Sequence, residues 1–292
     1  MIGLKRGTVK LYEHDKEWEF EARKTIIRLR EILGTAARDI QHVGSTAIPS
    51  IKAKPIIDIA VAVYDFNDIL VLEPALRNEG FYFRTNNDMA GQKLWACGSY
   101  YEGTGDLQTH FIHVVIADST EWMNYINFRD YLNKTPSAAK EYEDLKSTLA
   151  AKAPVDEGRE LYLKGKHDFI VYTLRKALVN SYLGKNVTVK IDRTVGSAHP
   201  KHPDLFYPVN YGHIPGVIGG DGEALGVYVL GANEPLDEFT GRIIAIVHHE
   251  NDAADKLVAA MHGISFNKAV IAEAVAFQEQ NYKTRIEVFE ND

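Results

Sequence analysis

The chain is 292 residues long, 45% hydrophobic and 25% charged, an ordinary globular composition with room for two medium-sized domains. Forty acidic against 33 basic residues leave a formal charge of -7, so the whole-molecule field opposes nucleic acid, and any phosphate ligand has to be held by local donors. The single cysteine, Cys97, excludes an internal disulfide framework; with no apolar run near the ~20 residues of a bilayer span and no signal-peptide core in MIGLKRGTVKLYEH, a cytoplasmic protein without a membrane partner is expected.

The first predicted element is a short strand over residues 8–11. In DKEWEFEARKTIIRLREILG, Trp18, Ala22, Ile26, Leu29 and Leu33 recur at three- and four-residue steps. That spacing predicts an amphipathic helix with Asp15 as its N-cap and Gly34 as its stop. RDIQHV then reads as a strand, GSTAIPSIKAKP as a loop with one helical turn, and IIDIAVAV as a buried strand. A helix near residues 67–79 follows, then strands at FYFRT, QKLWACG and THFIHVVIA. From Ser119 to Asn180 the pattern is helical: one helix begins after Asp118, a second near Pro136, a favoured first-turn residue, and a third from about Glu157. This succession predicts an α+β domain, a mixed sheet covered by helices, over residues 1–183.

After NSYLGKN the texture changes. The β-branched segments VTVKIDR, GVYVLG and GRIIAIVHH alternate with glycine- and proline-rich turns, and a helix over about 267–280 precedes NYKTRIEVF. Residues 184–292 are therefore expected to form a small β-barrel with a C-terminal helix.

Chemistry first gathers in HVGSTAIPSIKAKPIIDIAVAV. Gly44 allows a close backbone approach to an anion, and the exposed N–H groups and hydroxyl of a Gly44-Ser45 turn can bind phosphate oxygens. On the next strand, period-two alternation puts Asp58, Ala60 and Ala62 on one face and Ile57, Ile59, Val61 and Val63 on the other. A strand carboxylate is costly unless paired or metal-bound, so Asp58 is expected to meet either a bound cation or, with the turn hydroxyl merely capping a helix, Lys52 or Lys54. Lys54 is either a phosphate ligand or a solvated lysine. His110 and His113, three apart on one strand, face opposite sides. His113 is then the site histidine or a hydrogen-bonded core histidine, and His110 is structural, with His42 able to join either.

The segments VKLYEHDKEW, HVGSTAIPSIKAKPIIDI, HFIHVV and FRDYLNKTPSAAKEYEDLKSTLA resemble the GrpB-like family of the nucleotidyltransferase superfamily over residues 1 to about 178. The resemblance implies a Gly-Ser turn for nucleotide phosphates, here Gly44 and Ser45, followed by two strand carboxylates that hold magnesium. Asp58 matches the first. Ala60 stands where the second belongs, and His113 is the nearest counterpart of a third acid from a later strand.

The C-terminal stretch holds a second set: Arg193, a planar phosphate fork; Tyr207 and Tyr211, hydroxyl donors; Asp221 and Glu223, hard oxygen ligands around a glycine; Asp255 and Lys256, placed where a strand gives way to a helix; and Tyr282 and Lys283. Singly, each also fits a packed tyrosine, a common DGE turn or a solvated helix pair. In order, IDR, YPVNYGHIP, DGEALGVYVL, DKLVAA and FQEQNYK resemble the soluble inorganic pyrophosphatases, which have an OB-like barrel and use magnesium. That resemblance implies metal ligation by Asp221, Glu223 and Asp255, with Gly226 in place of a bridging aspartate, and phosphate contacts from Arg193, Tyr207, Tyr211, Lys256, Tyr282 and Lys283. His199 and His202 form either a transition-metal pair or a surface loop.

Two functions follow as expectations. One is phosphoanhydride chemistry on a nucleotide or pyrophosphate-type small molecule with magnesium, with Asp58, His113, Asp221 and Glu223 as catalytic groups. The other is a regulatory protein that binds such ligands without turnover, because Ala60 and Gly226 replace acids. A partner-binding scaffold is a third.

Overall fold

The computed structural model describes residues 1–85, 91–154, 158–199, 202–219, 221–250 and 254–289. The chain divides into two compact units, Met1–Thr173 and Leu174–Asp292. Among the described residues no helix is long and apolar enough to cross a membrane.

In chain order the elements are β1 (Leu4–Lys5), α1 (Glu17–Leu33), β2 (Ala37–Val43), β3 (Ile57–Val63), α2 (Phe66–Leu70), α3 (Glu73–Asn78), β4 (Tyr82–Phe83), β5 (Gln92–Cys97), α4 (Ser99–Glu102), β6 (Leu107–Gln108), β7 (His110–Ile116), α5 (Thr120–Lys134), α6 (Pro136–Lys152), α7 (Arg159–Gly165) and α8 (His167–Ser181), the last of which contains the division. Five strands form a mixed sheet in the order β2-β3-β7-β5-β4, with β3 and β7 parallel and the other pairs antiparallel. Period two then decides what each face receives. Ile57, Ile59, Val61 and Val63 join Ile112, Val114 and Trp95 in a core sealed by Trp18, Ala22, Leu29 and Leu33 of α1. Full burial of a side chain such as Leu29 or Ile59 contributes about 1.5–3 kcal/mol. The other face of β3 carries Asp58, Ala60 and Ala62, and α5 packs across it where the alanines leave room. Ile48 and Ile51 of the loop after β2 pack with Leu132 of α5 and with Ala139 and Tyr142 of α6.

Several local expectations are corrected. Residues 8–11 form no strand; the N-terminal pairing is Leu4–Lys5 against Leu107–Gln108, with Tyr12 bridging Ala53. Asp15 lies one residue ahead of the helix cap, Lys16, and its carboxylate accepts from Glu17 N at 3.1 Å. The helix expected over 67–79 is two, because Pro74 lacks the N–H that a continuous ladder needs and occupies the first turn of α3. Asp65 caps the first of them, accepting from Asn67 N at 2.8 Å. Glu157, the expected start of a third long helix, lies outside the described residues.

The second unit adds β8 (Asn186–Arg193), β9 (Ala198–His199), β10 (His202–Phe206), β11 (Asn210–Ile218), β12 (Ala224–Leu230), β13 (Glu238–His249), β14 (Lys256–Ala260), α9 (Lys268–Glu279) and β15 (Thr284–Val288). Strands β8, β11, β12, β14 and β13 pair in that order, and β13 returns to β8, so five strands close a barrel; β15 pairs with the remaining stretch of β13. Closure leaves no free edge among those five. Val187, Val189, Leu225, Val227, Val229, Ile243, Ile246, Leu257 and Ala259 pack together as one core, while Tyr228, Leu230, Val247 and Val258 pack with Ile271 and Val275 of α9 as another. Strands buried on both faces explain why ALGVYVL and RIIAIV read as continuous apolar runs. Lys256 begins a strand parallel to β12, not the helix expected there: β-branched and small apolar residues in KLVAA fill a buried ladder position.

Candidate functional site

At the end of β2, Val43 lies opposite Asp58 and the chain turns through Gly44 with φ 70°. A Cβ on residue 44 would fall 2.4 Å from Asp58 Oδ2, so both the backbone sign and the close approach require glycine. Ser45 then opens a single 3-10 turn, Ser45–Ala47, and lines a cavity of about 720 Å3 together with Asp58 and His113. His113 sits opposite Ala60 in the parallel register. Its Nε2 donates to Asp58 Oδ1 at 3.3 Å, its ring lies 5.0 Å from that of Tyr125 on α5, and its buried Nδ1 has no hydrogen-bond partner among the described residues.

The cavity is strongly cationic. Arg6, Lys54, Arg84, Arg159 and Lys166 line it, and Asp58 is the one carboxylate in the lining among the described residues. Aromatic faces rather than acids hold these cations. The Lys54 and Lys166 ammonium groups lie 5.2 and 4.6 Å from the centre of one ring, Tyr162. Arg159 lies 5.6 Å over Phe111, Arg84 4.8 Å over Tyr101, and Arg6 4.5 Å over Tyr100. Burial, then the charges of Lys166 and Arg159, push the Lys54 ammonium down to about 8, with Asp58 opposing. Burial lowers Lys166 to about 8 as well, Asp58 again opposing and Arg159 adding to the fall.

The other two histidines are kept out of the cavity. His110 faces α1, with Nε2 3.2 Å from Thr25 Oγ1, as the three-residue spacing requires. His42 meets Thr46 Oγ1 at 2.9 Å. Burial holds both near pKa 4, hence neutral at physiological pH.

These donors do not suit magnesium. The ion asks for near-octahedral oxygen ligation with carboxylate support, whereas Asp58 stands alone, Ala60 presents a methyl and His113 already spends its Nε2 on Asp58. No group of three or more His, Cys, Asp or Glu side chains is placed to hold a metal among the described residues.

In the barrel the expected residues fall into separate groups. Arg193 lies opposite Tyr211 across β8 and β11, and its Nη1 donates to the Asp192 carbonyl at 2.8 Å. The rings of Tyr207, Tyr211 and Tyr228 follow one another at 5.9 and 5.0 Å, and burial raises the hydroxyl pKa of all three. Asp221 and Glu223 are exposed; Asp221 Oδ1 accepts from Glu223 N at 3.0 Å, which makes the DGE run a self-bonded turn. Tyr282 is exposed beside His249, and Lys283 pairs with Glu250 at 2.6 Å.

Asp255 and Lys256 are bound to other side chains. Asp255, 3% exposed, accepts from Lys176 Nζ at 2.6 Å and His249 N at 2.9 Å through Oδ1, and from His248 Nδ1 at 3.0 Å through Oδ2. Burial pushes its carboxyl up, but these hydrogen bonds and charges outweigh it and hold the group below its usual range. Lys256 donates to Glu279 Oε1 at 2.8 Å. Glu279, 3% exposed, also accepts from the Tyr228 hydroxyl at 2.6 Å and meets His249 Nε2 at 2.7 Å. Asp255, expected as a metal ligand, is thus paired with Lys176 and His248, and Lys256, expected as a phosphate ligand, is paired with Glu279 of α9. His199 stacks on Tyr207 at 5.9 Å, and the side chain of His202 lies outside the described residues.

Gly226 has a structural reason. A Cβ there would lie 2.2 Å from the Tyr211 hydroxyl, which fills the space an aspartate would need. Gly226→Asp is thus expected to lower the thermal midpoint of the barrel, at an overpacking cost of about 1–3 kcal/mol, without creating a metal site. Thermal unfolding with and without magnesium checks this, and a magnesium-dependent gain in the variant alone would refute it.

The family model described as GrpB protein matches residues 8–176, more than half of the chain and all of the cavity lining except Arg6. The chain belongs to the GrpB family. The glutamate-rich protein GrpB of Alkalihalophilus pseudofirmus is 38% identical over 173 residues, 58% of this chain and 96% of that protein. The crystal structure of the conserved protein GrpB from Enterococcus faecalis is similar at TM-score 0.53 and 26% identity, over 59% of this chain and 99% of that one. An inorganic pyrophosphatase from Ehrlichia chaffeensis is similar at TM-score 0.30 and 16% identity, over 37% of this chain and 88% of that one.

Within the GrpB domain the structure brings together Gly44, Ser45, Lys54, Asp58 and His113, all named from sequence. It adds Arg6, Arg84, Arg159 and Lys166, which no local pattern marks. Their one legible signal is the spacing of Arg159, Tyr162 and Lys166, three and four residues apart on one helical face.

Proposed function

We propose that the GrpB domain is a binding module for a phosphorylated small molecule of nucleotide or pyrophosphate type, and that the protein acts by holding this ligand rather than by magnesium-dependent transfer or hydrolysis. The observation that carries the reading is the set of five cations around one cavity beside the Gly44-Ser45 turn, facing a lone carboxylate. Guanidinium forks and ammonium groups are the side chains that phosphate oxygens select. A cavity of about 720 Å3 suits a ligand of that size, and Leu94, Ile56 and Leu163 give it an apolar wall. Nucleotidyl transfer draws on paired carboxylates to place the metal, and here the second position is Ala60. Pyrophosphate hydrolysis asks the same of Asp221, Glu223 and Asp255, of which Asp255 is buried in its own ion pairs. No reaction is assigned to the barrel.

The experiment is a thermal-shift titration of the full-length protein with inorganic pyrophosphate, inorganic triphosphate and nucleotides. Ligands that bind only the folded state raise its midpoint. A rise with phosphate-bearing compounds and none with the matching nucleosides is expected; no rise with any of them overturns the reading.

Affinity should also depend on pH. The anion needs Lys54 and Lys166 protonated, and both lose their protons in the free protein near pH 8. Affinity is therefore expected to be greatest below pH 8 and to fall as pH rises through it, by at most about tenfold per pH unit per lysine, with proton uptake on binding. The stability of the unliganded domain has the opposite trend. Between about 8 and the ordinary lysine value of 10.5 the unfolded chain binds more protons, so these two lysines make stability rise with pH there. Calorimetry in buffers of different ionisation enthalpy measures the uptake, and a pH-independent affinity between 7 and about 9.5 contradicts it.

A further inference from the structure

We infer that the cavity of the GrpB domain takes its polyphosphate ligand as the metal-free anion, so that magnesium competes with the protein for the ligand instead of assisting its binding. This rests on the phosphate-binding reading above and concerns the form of the ligand.

Arg6, Lys54, Arg84, Arg159 and Lys166 surround the space, and among the described residues no carboxylate oxygen lies within 4.0 Å of any of their nitrogens. Cations usually appear beside acids that neutralise them; these five rest on Tyr162, Phe111, Tyr101 and Tyr100, whose faces hold a positive group without consuming its charge. Lys54 and Lys166 share one ring, an arrangement of like charges that is unfavourable until an anion lies between or above them.

Magnesium would enter this space badly. It would have to sit at Asp58, whose Oδ1 already accepts from His113 and whose charge is the same one that offsets Lys54 and Lys166. A dication there repels the surrounding ammonium and guanidinium groups, and chelation cancels much of the ligand charge those groups would otherwise meet. The fixed cations thus supply the positive charge that a nucleotide-processing site draws from its metal. Arg6 and Arg159 also line an adjoining recess of about 490 Å3 with Lys5, Tyr100 and one carboxylate, Asp106, so that cations outnumber acids there too.

The test is isothermal calorimetry on the full-length protein with inorganic triphosphate and with ATP, each in EDTA and in saturating magnesium. Binding in EDTA at least about tenfold tighter than in magnesium is expected, as for contacts carried by several charge-assisted hydrogen bonds. Triphosphate and ATP behaving alike identifies the phosphate chain as the determinant; ATP alone binding assigns part of the recognition to the nucleoside. Equal or tighter binding in magnesium overturns the inference and leaves the phosphate reading standing. No binding of either compound in either buffer overturns both.

Asp58→Asn supplies an independent arm. The amide oxygen can keep the His113 contact, and removal of the one negative charge is expected to tighten the free anion a few-fold. A loss of more than about tenfold in the folded variant assigns the carboxylate to a metal and refutes the inference.

Discussion

Glu279→Ala is expected to destabilise the barrel by about 3–5 kcal/mol, the range for removing one partner of a buried ion pair. Three groups depend on this carboxylate: Lys256 Nζ at 2.8 Å, the Tyr228 hydroxyl at 2.6 Å and His249 Nε2 at 2.7 Å. Alanine leaves the Lys256 ammonium without its carboxylate where little water reaches, so that the desolvation cost of the charge falls on the native state, while the Tyr228 hydroxyl keeps Gln278 Oε1 at 2.9 Å. Glu279→Gln, which keeps one acceptor oxygen, should lose less. Because all three tryptophans, Trp18, Trp95 and Trp122, lie in the other unit, their fluorescence is a poor reporter of this change. Hydrogen exchange in peptides from β12 and β14 reads it directly. A loss below about 1 kcal/mol means that the ammonium of Lys256 is solvated and free for a ligand after all.

Lys54→Met is expected to move stability and binding in opposite directions. Methionine keeps most of the buried stem and removes an ammonium that burial, Lys166 and Arg159 all disfavour. The unliganded domain should therefore be no less stable than the wild type, and its thermal midpoint should rise. Phosphate affinity should fall about ten- to a hundredfold, the equivalent of one charge-assisted hydrogen bond of about 1.5–3 kcal/mol. This divergence separates a binding group from a structural one, since a lysine that merely packs would lose stability on removal. Thermal unfolding and calorimetry on the same preparation check it. Unchanged affinity with a lowered midpoint assigns Lys54 to packing on Tyr162.

Much of the site was legible because it is local. Gly44 and Ser45 sit in one turn, Asp58 follows fourteen residues after Gly44, and period two on a strand separates His110 from His113 with no knowledge of the partner strand. The barrel was also readable as a class, since β-branched runs broken by glycine and proline describe closely paired strands. The partners of the other candidate residues were not legible, for one reason. Asp255 and Lys256 look like surface groups in a line of text, yet Lys176 and Glu279, 79 and 23 residues away, come to meet them. Gly226 reads as a lost acid until Tyr211 from the neighbouring strand is seen to fill its space.

What the sequence determined by itself is the alternation of faces, the turn chemistry and the family, because each depends on neighbours a few residues apart. Only the tertiary structure decided the charge of the cavity. Arg6, Arg84 and the pair Arg159 and Lys166 come from three distant segments, and electrostatics acts through space rather than along the chain. A protein with a net charge of -7 can therefore carry a cationic pocket that its composition conceals.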